Sequence, residues 1–245
     1  MTTCAEPPVL VLLPGMDGSG DLFAPLTSVL GDQCELLVMR YPPDQPLGYA
    51  ALTQWVRARL PEGRAFVLLG ESFSGPLAIS LAAQQPPGLC ALVLCVSFTR
   101  NPRPGLWALR WLLPLLPFKA LPAWLLSALL LGRFANPALR QALAQALEPV
   151  YERVLRARAE AILRVNVDQE LAQVDVPILY LRGDHDRLVP GRVSQRLTRI
   201  QPALQVVGIQ APHCLLQVAP VEAAAALEDF LRTVPVPSSA TMADL

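Results

Sequence analysis

The stretch "FVLLGESFSGPLAIS", Phe66 to Ser80, decides the fold. An apolar run ends at Gly70, Ser72 follows among small residues, and a second apolar run with helical spacing begins. The pattern reads as a strand, a sharp turn and a helix. A serine hydroxyl is a poor nucleophile until a base removes its proton, so it must be lifted clear of a sheet to where a histidine can reach it. A strand-turn-helix elbow does this. It needs small residues two places before and after the serine, because the tight turn crowds its own backbone. Gly70 fills the first place, and Ser74, followed by Gly75, fills the second, a departure from G-x-S-x-G. The competing role for Ser72 is a helix N-cap, which serine fills well. Ser74 has Ser72 before it and Pro76 after it, which gives it a structural role rather than a nucleophilic one.

Outward from this stretch, short apolar runs recur, each followed by a turn and a longer segment of helical spacing. The expected strands are 9–13, 35–40, 65–70, 90–96, 177–182 and 204–209, and the expected helices 22–30, 49–60, 73–84, 192–200 and 221–234. Strict alternation of this kind predicts an α/β fold, a doubly wound and mostly parallel sheet of about six strands. The 245 residues suffice for one large domain. Alternation breaks once, over 98–168, where helical character, prolines and leucines replace strands. An insertion of that length after a strand end is expected to form a helical cap over the carboxyl edge of the sheet, where open α/β sheets bind ligands. The core is then 1–97 with 169–235, and the Pro- and Ser-rich 236–245 is expected to fray.

The search for a base is short, because His185 and His213 are the only histidines. His213 stands in "QAPHCLLQVAP", between the last expected strand and the last helix. On an elbow of this type the partners follow in the order serine, acid, histidine. The acid must therefore lie between Ser72 and His213 at a strand end, and "GDHD" offers both Asp184 and Asp186. Three residues in the required order, each at the end of a different strand, carry an inference that no single motif carries. The oxyanion of a tetrahedral intermediate also needs donors, expected from the amide after the nucleophile, Phe73, and from the loop after the first strand, where Gly15 permits a tight turn and Met16 supplies the amide. Asp17 and Asp21 in that loop read as turn and helix caps. No lysine follows its glycines, so it is no phosphate-binding loop.

Composition excludes other classes. Twenty basic and twenty acidic residues cancel, leaving no global field for a nucleic acid. The charge is uneven, with ten basic against four acidic residues between Phe98 and Asp168. Five cysteines, without a C-x-x-C pair, fit reduced thiols rather than a disulfide framework or zinc site, and with no basic leader before the first apolar run the expected location is cytoplasmic. The leucine-rich 106–132 contains Arg110, Lys119 and several prolines, which suits cap helices and not a transmembrane span.

These motifs resemble the α/β-hydrolase superfamily over almost the whole chain. "LPGMDGSGDLFAPL" is similar to the oxyanion loop, "GESFSG" to the nucleophile elbow, "LRGDHDRLVP" to the G-x-x-D-x-x-V-P acid loop, and "APHCLLQVAP" to the histidine loop. The resemblance implies a catalytic triad of Ser72, Asp186 and His213, and its acid-loop spacing is what ranks Asp186 above Asp184. It also implies a compact member, without the family's usual first two strands, needing no metal or organic cofactor. Glu71 stands where the family often has histidine; it could orient cap residues or keep an anionic substrate group away.

The implied activity is hydrolysis of a carboxylic ester or thioester with an apolar acyl group, through an acyl-enzyme. Acyl transfer by the same triad and a non-catalytic binding module remain open alternatives. Trp107, Trp111 and Trp124 could line the pocket roof or merely pack the cap. The cap's basic residues, among them Arg153, Arg156 and Arg158, suit an acyl carrier protein or an anionic membrane surface, or a plain solvated face. The chain resembles the pimeloyl-carrier-protein methyl esterases and also the phytyl ester synthases, and no motif chooses between them.

Overall fold

A computed structural model describes residues 7–31, 34–105, 108, 111 and 118–235. Trp107, Cys4, part of the expected cap and the 236–245 tail lie outside the described residues. Six strands, β1 (Val9–Leu13), β2 (Leu36–Val38), β3 (Phe66–Glu71), β4 (Leu89–Cys95), β5 (Ile178–Gly183) and β6 (Gln205–Ile209), form one sheet in the order β2-β1-β3-β4-β5-β6. Every pairing is parallel. Each strand lies within a residue or three of the expected run. The largest trim is β2, an edge strand whose three residues are only half-buried.

Alternation along the strands builds two cores. Val9, Val11 and Leu13 of β1 face one side with Phe66 and Leu68 of β3, while Leu10, Leu12, Val67 and Leu69 face the other. The first side is covered by α2 (Tyr49–Arg57), α3 (Gly75–Ala82), α7 (Asp168–Ala172) and α8 (Arg192–Ile200). The second is covered by α1 (Ala24–Leu30), the short α9 (Leu215–Val218) and α10 (Pro220–Leu231). Because both faces are covered, the central strands read as unbroken apolar runs rather than alternating ones.

Between β4 and β5 the chain adds α4 (Ala123–Leu130), α5 (Pro137–Leu147) and α6 (Glu152–Arg164). An isolated antiparallel bridge, Arg100 to Asn166, joins the two ends of this segment, and Asp168 pairs with both Arg100 and Arg196 there. The segment rests on the carboxyl-end loops of the sheet. The Leu130 carbonyl accepts from Cys214 N–H at 3.1 Å, the Ala128 carbonyl from Arg187 at 3.0 Å, and Arg133 meets His185 Nε2 at 2.7 Å.

The chain leaves β1 toward β2 on one side and returns to β3 on the other. The strand order therefore reverses between β1 and β3, the crevice where doubly wound sheets hold ligands. The loop after β1 carries Met16, and the turn after β3 carries Ser72.

Candidate active site

Ser72 has φ +48°, a conformation that L residues other than asparagine, aspartate and glycine seldom adopt. The turn is tight enough to dictate its neighbours. A Cβ on Gly70 would lie 2.8 Å from the Ser74 carbonyl and 2.9 Å from Ala78 Cβ, so only glycine fits two places before the serine. On the other side the constraint falls on Gly75, whose added Cβ would lie 1.7 Å from Ser97 Oγ. Ser74 has ordinary right-handed helical angles and needs no glycine. It is fully buried and donates its hydroxyl to the Pro14 carbonyl, which leaves Tyr41 O–H as the donor in the 2.7 Å bond between the two hydroxyls. The serine in place of glycine therefore ties the elbow to the loop after β1.

Ser97, just past β4, fixes the elbow from behind. Its Oγ donates to the Ser72 carbonyl at 2.6 Å, and its own carbonyl accepts Tyr180 O–H at 3.0 Å. Val96 before it has φ +45°, an unusual strain for a β-branched residue, which persists only where surrounding contacts enforce it.

The acid and histidine loops are laced together. Asp184 N–H donates to the Ile209 carbonyl and His185 N–H to that of Ala211. Gly183 has no room for a side chain, since a Cβ there would meet the Pro212 carbonyl oxygen at 2.7 Å. This lacing brings His213 Nδ1 to 2.8 Å from Asp186 Oδ2 and His213 Nε2 to 2.7 Å from Ser72 Oγ. Asp186 Oδ1 accepts the amides of Leu188 and Val189 at 2.7 and 2.9 Å. A carboxylate so engaged can only accept from His213, so the imidazole proton sits on Nδ1 and Nε2 is left to accept from Ser72 O–H. Asp184 points elsewhere, to Arg182 and Gln210. Of the two acids open in the sequence, Asp186 is the one the structure joins to His213.

Phe73 is buried in the single 3-10 turn (Ser72–Ser74) that leads into α3, a helix start whose amides have no partner within the helix. Its ring stacks on Tyr49, and its carbonyl accepts Tyr49 O–H at 2.9 Å. Met16 lies in a turn closed by Gly18 N–H to the Gly15 carbonyl, and Asp17 Oδ2 caps the next residues through Ser19 N–H and Oγ. Trp111 and Trp124 stand out at the surface, 74% and 70% exposed, so neither forms an enclosed pocket wall. Arg158, expected on a basic outer face, is instead buried, and Arg153 is engaged by the Asp44 carbonyl. Cys34, Cys90, Cys95 and Cys214 are free thiols, and the described residues contain no cluster suited to a metal ion and no helix long and apolar enough to cross a membrane.

The site includes two further residues, Glu71 of the elbow stretch and Gln217 of the histidine loop. Glu71, buried beside the nucleophile, accepts from Gln217 Nε2 at 3.0 Å and from the Gly15 amide. Burial pushes its carboxyl up to about 7, with Asp17 adding to the rise and Gln217, His213 and the Gly15 amide opposing it. Gln217 also donates to the Leu22 carbonyl, while its Oε1 is buried without a partner among the described residues.

A model of the alpha/beta hydrolase family matches residues 10–227. Among solved structures, an enol-lactonase from Burkholderia xenovorans LB400 is similar at 17% identity and TM-score 0.81, covering 95% of this chain and 94% of its own. A malate-bound thermophilic esterase from Thermogutta terrifontis is similar at 18% and 0.79, covering 93% and 90%. A bromoperoxidase from Bacillus anthracis is similar at 14% and 0.80, covering 93% of each chain. Identities this low speak for the fold alone. No curated protein matches. With the family model spanning the sheet, the elbow and the histidine loop, the chain belongs to the alpha/beta hydrolase family.

Proposed function

We propose that this protein is a serine hydrolase that cleaves a carboxylic ester or thioester with an apolar acyl group. The observation that carries the reading is the continuous hydrogen-bonded line from Ser72 Oγ through both nitrogens of His213 to an Asp186 carboxylate anchored by two backbone amides. Ser72 Oγ attacks the acyl carbon while His213 Nε2 takes its proton. The Phe73 and Met16 amides hold the oxyanion, and its collapse expels the alcohol or thiol with the proton from His213. Water then gives a proton to the same nitrogen and attacks the acyl-Ser72 carbonyl, and collapse of the intermediate releases the acid as His213 returns that proton to Ser72 Oγ. Asp186 keeps the imidazole in the tautomer that both steps require.

The inserted α4–α6 helices act as a lid over this site, a role supported by their bonds to the acid and histidine loops. A largely apolar cavity of about 160 Å³, walled by Leu22, Pro25, Leu131 and Leu143, adjoins Cys214 next to His213, but neither Ser72 nor His213 lines it, and the apolar acyl preference rests on the resemblance of the motifs. Turnover of a short p-nitrophenyl ester tests the reading. Ser72→Ala is expected to lower it by about four to six orders of magnitude. Undiminished activity in that variant removes Ser72 from the mechanism.

A further inference from the structure

Arg158 has 1% exposure, and a guanidinium is costly to bury without partners. It lies on the apolar face of α6, between Val154 and Leu155 one turn before and Ile162 one turn after. From there it crosses out of the inserted segment into the loop after β1. One terminal nitrogen, Nη1, donates to two consecutive carbonyls, Met16 at 2.8 Å and Asp17 at 2.9 Å, and Nη2 reaches the Pro42 carbonyl at 3.4 Å. Gly18, at φ +70°, makes the approach possible, since a Cβ there would stand 2.6 Å from Nη1. The face of Tyr41 lies 5.6 Å from the guanidinium carbon, and Tyr41 is the residue bonded to Ser74 of the elbow. The opposite side of the same turn is held by Glu71, which accepts the Gly15 amide. Nε of Arg158 has no hydrogen-bond partner among the described residues, so its hydrogen bonds go to those carbonyls, while burial lowers its pKa and the nearby Asp17 charge opposes that shift.

We infer that Arg158 is a positioning residue for the oxyanion hole: by holding the Met16 and Asp17 carbonyls from the inserted segment, it fixes the turn whose Gly18 N–H to Gly15 carbonyl bond orients the peptide unit that carries the Met16 amide. The donor is thereby correctly placed only when α6 is seated, and lid position and catalytic competence are coupled through one side chain. This rests on the serine hydrolase reading. The coupling matters because an oxyanion donor acts on the transition state far more than on bound substrate.

The test uses the full-length protein, a p-nitrophenyl ester and a fluorophosphonate probe. Arg158→Ala is expected to lower kcat about 100-fold, the size of effect that removing an oxyanion donor or misplacing a group by an ångström produces, with KM within about threefold of wild type. Guanidinium chloride at low millimolar concentration, against sodium chloride at equal ionic strength, is expected to restore about tenfold of the loss by refilling the vacated site. Arg158→Met, which keeps bulk but donates nothing, is expected to show the same loss without rescue. A kcat within threefold of wild type in either variant overturns the inference. So does a loss expressed in KM alone, and failure of both variants to fold assigns Arg158 to folding only. Wild-type protein that neither labels nor turns over brings down the hydrolase reading and this inference with it.

Discussion

Gly75 and Ser97 share a space that holds only one of them with a side chain. A methyl group on Gly75 would come within 1.7 Å of Ser97 Oγ and 2.5 Å of its Cβ, and Ser97 Oγ is the donor that fixes the Ser72 carbonyl. Gly75→Ala is therefore expected to destabilise by about 1–3 kcal/mol, the ordinary cost of overpacking, and to lower kcat by disturbing the elbow. Ser97→Gly in the same chain removes both clashing atoms. Urea unfolding of the two single variants and the double variant should show a favourable interaction of about 1 kcal/mol or more. Strict additivity would mean that the two positions do not compete.

Asp186 and Asp184 are separated by one residue and differ entirely in surroundings. Asp186→Asn keeps the shape of the side chain, but its amide can hold His213 in the wrong tautomer, and kcat is expected to fall by about 10³–10⁴. Asp184→Asn weakens only partly exposed contacts with Arg182 and Gln210 and is expected to leave kcat within about twofold. Steady-state kinetics on the pair decides the assignment. Equal losses would put the acid function on neither residue alone.

Glu71 makes stability depend on pH. Its carboxyl titrates near 4.3 in an unfolded chain and at about 7 in the folded one, so the folded state holds the proton more tightly. The stabilisation from keeping it neutral is complete below about pH 4.3 and is lost as pH rises through about 7, at a cost on the order of 3 kcal/mol. Glu71→Gln still offers an acceptor to the Gly15 amide, and its N–H can meet the orphan Gln217 Oε1 if that amide turns. Unfolding free energy measured from pH 4.5 to 8 should fall more steeply in wild type than in the variant. Parallel profiles would show that Glu71 keeps an ordinary carboxylate titration.

The strands were legible because a sheet covered on both faces demands continuous apolar runs, and Phe66–Glu71 with Leu89–Cys95 are such runs. The elbow was legible because Ser72 stands at the one turn where strand and helix signals meet. Ser74 was legible as a structural residue and a departure from G-x-S-x-G, but not the reason it is tolerated: the steric demand falls on Gly75, a constraint set by Ser97 across the fold. Arg158 was counted with Arg153 and Arg156 as an outer cationic face. Its place in line with Val154, Leu155 and Ile162 was the signal that it turns inward, but its partners are carbonyls some 140 positions earlier, and carbonyls leave no mark in a sequence. Gln217 was silent for the same reason, being defined by the Leu22 carbonyl and the Glu71 carboxyl that it meets across the fold.

Covalent labelling reports directly on whether Ser72 is an activated nucleophile. A fluorophosphonate reacts with an activated serine through attack of its oxygen on phosphorus and expulsion of fluoride, and the adduct can be located by peptide mass spectrometry. One adduct is expected, on the peptide carrying Ser72, absent in Ser72→Ala and formed at least about 10³-fold more slowly in His213→Ala. A folded wild-type protein that remains unlabelled, or that carries the adduct on another serine, would contradict that role for Ser72.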